Sequence, residues 1–234
     1  MQAVNPQLPE LEQAPKPAGL ITGAALVSLA IAVFAMLLFS WIATEVREGD
    51  TARFDLSVRM WIHQFFSPRL TRGMVLISEF GAEILIIGFL AALIAFVILR
   101  WRRAAAWLLV TMGGALVLDL SLKYGFHRAR PSPFYGPLPH TYSFPSGHAL
   151  FSFCFYGVLA GLINDRVRSL ALRIVIWIAA ALLILAIGFS RIYLGVHYPS
   201  DVIAGYLAAA LWVSAMIFLD RLRIYRRGVR VASE

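Results

Sequence analysis

Residues 17 to 44 form a run of 28 positions without a single charge. A helix of that length crosses the ~30 Å hydrocarbon core of a bilayer, so this run fixes the chain in a membrane. Sixty per cent hydrophobic residues overall agree with that and exclude an ordinary soluble domain. Overlapping the start of the run, residues 1–18 hold Pro6, Pro9, Pro15 and Pro17 among polar side chains and read as a disordered cytoplasmic tail. Glu10 and Glu12 stand where a secretory leader would be basic, so the first span, about 19–44, is expected to stay as an anchor.

Five more apolar stretches follow, at about 75–99, 104–122, 146–164, 172–190 and 200–219. The expected fold class is all-α: a six-span transmembrane helix bundle over 19–220, then a basic cytoplasmic tail at 221–234. Several spans have short uncharged stretches, as expected where bundle-buried ends carry function. Between the first two spans, charges mix with Phe54, Leu56, Met60, Trp61, Phe65 and Phe66, a pattern for a short interfacial amphipathic helix. The single cysteine, Cys154, permits no intrachain disulfide and lies between Phe153 and Phe155 as a buried helix residue would.

The net charge of +8 could suggest nucleic acid, but the arginines sit in blocks between apolar runs, as membrane topology places them. Arg100, Arg102 and Arg103 form one block, Arg166, Arg168 and Arg173 another, and Arg221, Arg223, Arg226, Arg227 and Arg230 a third. All fall on one side of a six-span plan, which marks that side as cytoplasmic. Five arginines in 45–73 lie on the other side, partly balanced by Glu45, Glu48, Asp50 and Asp55.

On that other side three polar motifs converge. Span three runs out at Lys123-Tyr124-Gly125-Phe126-His127-Arg128-Ala129-Arg130-Pro131, and span four starts at Pro145-Ser146-Gly147-His148. Span five ends at Ser190-Arg191, and His197 and Asp201 bracket the start of span six. Phosphoryl transfer needs positive charge on the equatorial oxygens, an in-line nucleophile and a proton for the leaving oxygen. Lys123, Arg130 and Arg191 can supply the charge. Pro145 placed near the first helical position would leave free N–H groups as an anion site, with Gly147 allowing close approach and Ser146 adding a hydroxyl. Pro199 is expected to open the last helix, putting Asp201 in its first turn, where a carboxylate can reach back to His197 and leave its Nε2 free to attack. His148 is the matching acid.

These motifs, Lys-x6-Arg-Pro, Pro-Ser-Gly-His and Ser-Arg-x5-His-x3-Asp, resemble the three-part signature of the type 2 phosphatidic acid phosphatase superfamily. Every position of the signature is filled between 123 and 201. The resemblance implies that His197 becomes a phosphohistidine with Asp201 orienting it, and that His148 protonates the leaving group. It implies a phosphate cradle of Lys123, Arg130, Ser146, Gly147 and Arg191, and no metal or other cofactor.

The implied activity is hydrolysis of a lipid phosphate or diphosphate, such as undecaprenyl diphosphate, phosphatidylglycerol phosphate or phosphatidic acid. The implied location is a bacterial cytoplasmic membrane, with the site on the extracytoplasmic face. A lipid phosphotransferase would use the same intermediate; a lipid transporter or binding protein would not need His197 paired with Asp201. The expected partners are the lipid substrate and the bilayer, with no nucleic acid and no required protein. Outside the signature, His127 and Arg128 could hold a second phosphate or head group, or be plain loop residues. Asp119 is placed to pair with Lys123. Glu79 and Glu83 share a helix face near the site, His140 and Tyr142 could shape a lid, and His63 reads as a surface residue.

Overall fold

The computed structural model describes residues 18–232, so the expected N-terminal tail falls outside the described residues up to position 17. Helix α1 runs Ala18–Glu48, α2 Ala52–His63, α3 Pro68–Glu79, α4 Glu83–Ile98 and α5 Arg102–Phe126. Then come α6 (Gly147–Ser152), a π-helical turn (Phe153–Gly157) and α7 (Val158–Asn164), followed by α8 (Leu170–Tyr193) and α9 (Pro199–Ala232). Among the described residues, six helical stretches are long and apolar enough to cross a membrane: 23–48, 68–98, 102–126, 147–164, 170–193 and 199–226. The protein is a multi-pass, all-α membrane bundle, and the segment after 220 continues the last helix to Ala232.

The outside of the bundle is apolar, with Ile87, Val97, Val117 and Leu182 all exposed. Such a surface is stable only against lipid. Without a hydrophobic drive between helices in lipid, close packing of small residues has to hold the bundle. Small residues line the buried contacts: α1 lies along α9, and Ala32, Ala35 and Ala43 of α1 and Ala204, Ala208 and Ala209 of α9 are all buried. Phe144, fully buried, packs with Ala43 and Ala204 and ties the loop before α6 to this seam.

Two features of the backbone position the polar end. The second span is not one helix: it breaks at Phe80-Gly81-Ala82 between α3 and α4. A Cβ on Gly81 would stand 2.6 Å from Ile187 Cγ2 and 2.9 Å from His148 Cδ2, so glycine lets this break press against α6 and α8. This separates Glu79, in the last turn of α3, from Glu83, in the first turn of α4, so the two do not share a helix face. The second feature is Gly205 of α9, whose Cβ position lies 2.6 Å from the Ser146 carbonyl oxygen and 3.0 Å from Ala149 Cβ. The last helix thus meets the start of α6 at backbone distance.

The interfacial helix is α2. It turns Phe54, Leu56, Met60 and Trp61 outward and buries Asp55, Arg59 and Ile62 against the bundle. Its inward face is therefore largely charged, an arrangement that the apolar pattern alone does not reveal.

Candidate active site

Lys123 lies in the last turn of α5, where a cation also suits the helix C-terminus. Its Nζ donates to Asp119 Oδ2 at 2.8 Å, one turn back. His127 ends the helix in the left-handed region (φ 48°), its N–H bonded to the Lys123 carbonyl, and so turns the chain back over the bundle. Arg130 then reaches the third motif: its Nη1 donates to the Val196 carbonyl at 2.9 Å and to His197 Nε2 at 3.0 Å. Its Nε donates to the Thr141 carbonyl at 2.6 Å, and its Nη2 to Thr141 Oγ1 and the Tyr142 carbonyl. One guanidinium thereby joins the loop before α6 to the loop before α9.

The second motif opens α6 at Gly147, with Ser146 as its N-cap and Pro145 two positions before the first helical residue rather than at it. A Cβ on Gly147 would lie 3.1 Å from both Lys123 Nζ and Asp119 Oδ1, so the bare backbone lets the lysine pair come up to the helix start. The Ser146 N–H donates to the Asp201 carbonyl at 2.9 Å, joining the second and third motifs. Ser146 Oγ and Arg191 Nε are buried without a hydrogen-bond partner among the described residues. His148, partly exposed, lies within electrostatic reach of Arg191, His197, Lys123 and Arg130.

Arg191 sits in the last turn of α8 and donates from Nη1 to Ser78 Oγ, with Glu79 in electrostatic reach. The chain then turns at Gly195 (φ +77°), where a Cβ would meet the Phe134 nitrogen at 2.5 Å. Phe134 and Tyr135 both donate to the Leu194 carbonyl, which clamps the two loops together.

His197 is buried, and Asp201 occupies the first turn of α9, as the position of Pro199 predicts. His197 Nδ1 and Asp201 Oδ2 are 3.4 Å apart. A guanidinium has no acceptor, so the Arg130 contact requires a lone pair on His197 Nε2 and puts the ring proton on Nδ1, facing the carboxylate. Burial, against the opposing pull of Asp201 and with help from Arg130 and Arg191, lowers the imidazole pKa to about 4. At neutral pH His197 is an uncharged base whose Nε2 lone pair is engaged by the Arg130 hydrogen bond.

Several residues that shape the site carry no signal in the sequence. Ser143 Oγ donates to Asp201 Oδ2, and the Tyr198 N–H adds a second bond to the same oxygen at 2.9 Å. Arg59 of α2 donates to the Ser132 and Gly195 carbonyls and stacks on the Phe134 ring, which bears on both loops. Arg128 forms buried ion pairs with both Asp55 and Asp201. The one available hint was an acid and a base four apart, Asp55 and Arg59, opposite the apolar stripe of an amphipathic helix. His63, expected at the surface, instead stacks on Phe134 with ring centroids 4.0 Å apart. His140 is exposed, and His127 packs edge-on against Tyr142.

Fold and site together describe a multi-pass membrane protein with a cationic, histidine-bearing cup at one end of its bundle. The chain belongs to the PAP2 superfamily, whose family model matches residues 104–224. It is 34% identical over 147 residues to the undecaprenyl-diphosphatase of Sulfolobus acidocaldarius, covering 60% of this chain and 66% of that protein. It is 32% identical over 124 residues to phosphatidylglycerophosphatase B of Bacillus subtilis, covering 51% and 60%. With the lipid A 1-phosphatase of Rhizobium etli the identity is 36% over 121 residues, 47% of each chain. The match thus takes in between about half and two thirds of the length of these relatives. Among solved structures, the transmembrane PAP2-type phosphatidylglycerolphosphate phosphatase of Bacillus subtilis superposes with a TM-score of 0.73 at 25% identity, covering 82% of this chain and 96% of that one. Aquifex aeolicus LpxE gives 0.54 at 25% identity, covering 71% and 95%.

Proposed function

We propose that this protein is a metal-independent lipid phosphatase that hydrolyses a lipid phosphate or diphosphate through a phosphohistidine on His197. The observation that carries the reading is the placement of His197 Nε2 beside Arg130 and in electrostatic reach of Arg191 and His148, in a site where Ser146 Oγ and Arg191 Nε are buried without a partner among the described residues. Buried donors of that kind are costly unless an acceptor meets them, and a phosphate oxygen is a strong one. The family supports the same reading, since its named relatives act on undecaprenyl diphosphate, phosphatidylglycerophosphate and lipid A.

In the proposed reaction, Arg130 passes its Nη1 bond from His197 Nε2 to the incoming phosphoryl group, and with Lys123, Arg191, the Ser146 hydroxyl and the N–H groups at Gly147 it holds the phosphoryl oxygens. The Nε2 lone pair of His197 attacks phosphorus while the bond to the lipid oxygen breaks, and His148 gives that oxygen a proton. Asp201 stabilises the positive charge that the attacking imidazole acquires. A water then attacks the phosphohistidine, His148 accepts its proton, and inorganic phosphate leaves with His197 restored. We place the cup at the extracytoplasmic face of a bacterial cytoplasmic membrane, because the arginine blocks lie at the opposite end of the spans.

The test is phosphate release by purified protein from undecaprenyl diphosphate, phosphatidylglycerol phosphate, phosphatidic acid and lipid A 1-phosphate in mixed micelles. Turnover of at least one, abolished by His197→Ala, is expected. An unimpaired His197→Ala enzyme rules out the nucleophile, and release that depends on an added lipid acceptor makes the protein a phosphotransferase.

A further inference from the structure

Arg128 is as close to the phosphate cup in sequence as Arg130, but where Arg130 meets carbonyls, a hydroxyl and His197, Arg128 is bound to two buried carboxylates. Nη1 donates to Asp201 Oδ1 at 2.6 Å and to Ser200 Oγ at 2.8 Å, while Nη2 donates to Asp55 Oδ2 at 2.7 Å and to Thr51 Oγ1 at 3.1 Å. Its face lies over the Tyr198 ring at 4.3 Å. The side chain is 15% exposed, and its two carboxylate partners are 1% and 0% exposed. With both Nη groups bonded to buried partners, only Nε–H is left over, so the head-group contact raised by the sequence gives way to a different role.

Asp55 closes the other half of the network. Its Oδ1 accepts the Ser200 N–H at 3.0 Å and its Oδ2 the Ser200 hydroxyl at 2.7 Å, so a residue of α2 caps the first turn of α9 directly before Asp201. Asp201 uses Oδ1 for Arg128 and Oδ2 for Ser143, Tyr198 and His197. A carboxylate tied at both oxygens cannot rotate, and one flanked by a buried cation stays ionised. Two buried carboxylates sharing a single guanidinium are strongly destabilised if that cation is removed. The opposite face of α2 carries Phe54, Leu56, Met60 and Trp61, each about half exposed or more, an apolar face of the kind that suits a membrane surface.

We infer that Arg128 is a positioning residue that fixes Asp201 behind the nucleophile, and that Asp55 holds Arg128 in place, making the interfacial helix a working part of the active site. This rests on the phosphohistidine reading and adds to it the means by which the orienting acid is itself held. The charged groups around the pair are Arg59 and Asp55 from α2, Arg128 and Arg130 from the loop after α5, and Arg191 and His148 from α8 and α6. Within this set Arg128 is the cation bonded directly to the Asp201 carboxylate.

The experiment is steady-state kinetics across pH on purified Arg128→Ala, Arg128→Lys, Asp55→Asn and His197→Ala, with thermal unfolding of each in detergent. Arg128→Ala should lower kcat by about 10²-fold, the effect of misplacing a reacting group by about 1 Å. KM should stay within about twofold, since no substrate contact is lost. The acid limb of kcat/KM should move up by about one pH unit or more, because a carboxylate without its cation draws a proton towards the His197–Asp201 pair. Arg128→Lys should recover part of kcat and return the acid limb towards wild type. Asp55→Asn should shift both in the same direction as Arg128→Ala, by less. If Arg128→Ala does not fold, the lysine and asparagine variants decide alone. A lower melting temperature with a wild-type pH profile, or a rise in KM with kcat unchanged, overturns the inference. Activity in His197→Ala overturns the underlying reading instead.

Discussion

Gly205→Ala adds one methyl group nearly two turns into α9, on a residue with no contact of its own to phosphate in the proposed reaction, and should slow the enzyme. The new Cβ would stand 2.6 Å from the Ser146 carbonyl oxygen, 3.0 Å from Ala149 Cβ and 3.4 Å from the Leu150 nitrogen. Relief even to a tight contact of roughly 3.0–3.4 Å requires α9 and α6 to part by about 0.4–0.8 Å, because the obstacle is backbone. Asp201 lies one turn up the same helix, and its carbonyl holds the Ser146 N–H, so the parting falls between His197 and the Ser146–Gly147 cradle. At about 10²-fold per ångström of misplacement, kcat should drop about 10-fold. Overpacking should also cost about 1–3 kcal/mol of stability. Kinetics should therefore be measured well below the melting temperature, on protein that elutes as a single folded species. Gly113→Ala is the control, since nothing lies within 4 Å of its Cβ position and kcat should be unchanged. A Gly205→Ala enzyme with wild-type kcat would refute the view that backbone contact between α6 and α9 sets the distance between nucleophile and cradle.

Loss of His148 by mutation to Ala should cost about 10²–10⁴-fold with a lipid phosphate and much less with an aryl phosphate whose leaving group needs no proton; equal losses would remove it from the acid role. Because the folded state lowers the His197 pKa to about 4, the nucleophile is unprotonated above that value and protonated below it. The acid limb of wild-type kcat/KM, corrected for the second ionisation of the substrate near ~6, should therefore lie close to pH 4. A limb near the usual histidine value would show that the imidazole is solvated. Dialysis against EDTA should leave turnover largely intact, and a loss reversed by Mg²⁺ would contradict the metal-free reaction.

Span number, span positions and the meeting of the three motifs at one end of the bundle were legible because they depend on local patterns. Charge-free runs fix the helices, and an even number of crossings between motifs fixes a common side. The departures arise where long-range contact decides. The split of the second span at Gly81 depends on His148 and Ile187, residues distant in sequence that need a bare backbone opposite them. The commitment of Arg128 depends on Asp55, 73 positions away, and the bond from Ser143 to Asp201 spans 58. A loop arginine beside a phosphate motif looks the same in sequence whether it faces a ligand or a buried carboxylate. Asp55 was masked by its setting, since an acid in an arginine-rich surface segment reads first as charge balance.

The covalent intermediate can be sought directly. Mixing enzyme with a ³²P-labelled lipid phosphate and quenching in alkaline denaturant, which spares phosphohistidine, should give a labelled protein whose label maps to His197 and is lost on brief acid treatment. The same mixing with His197→Ala should give none. Continued release of phosphate by wild-type enzyme with no labelled protein at any time, or a label carried by a different residue, would contradict the mechanism.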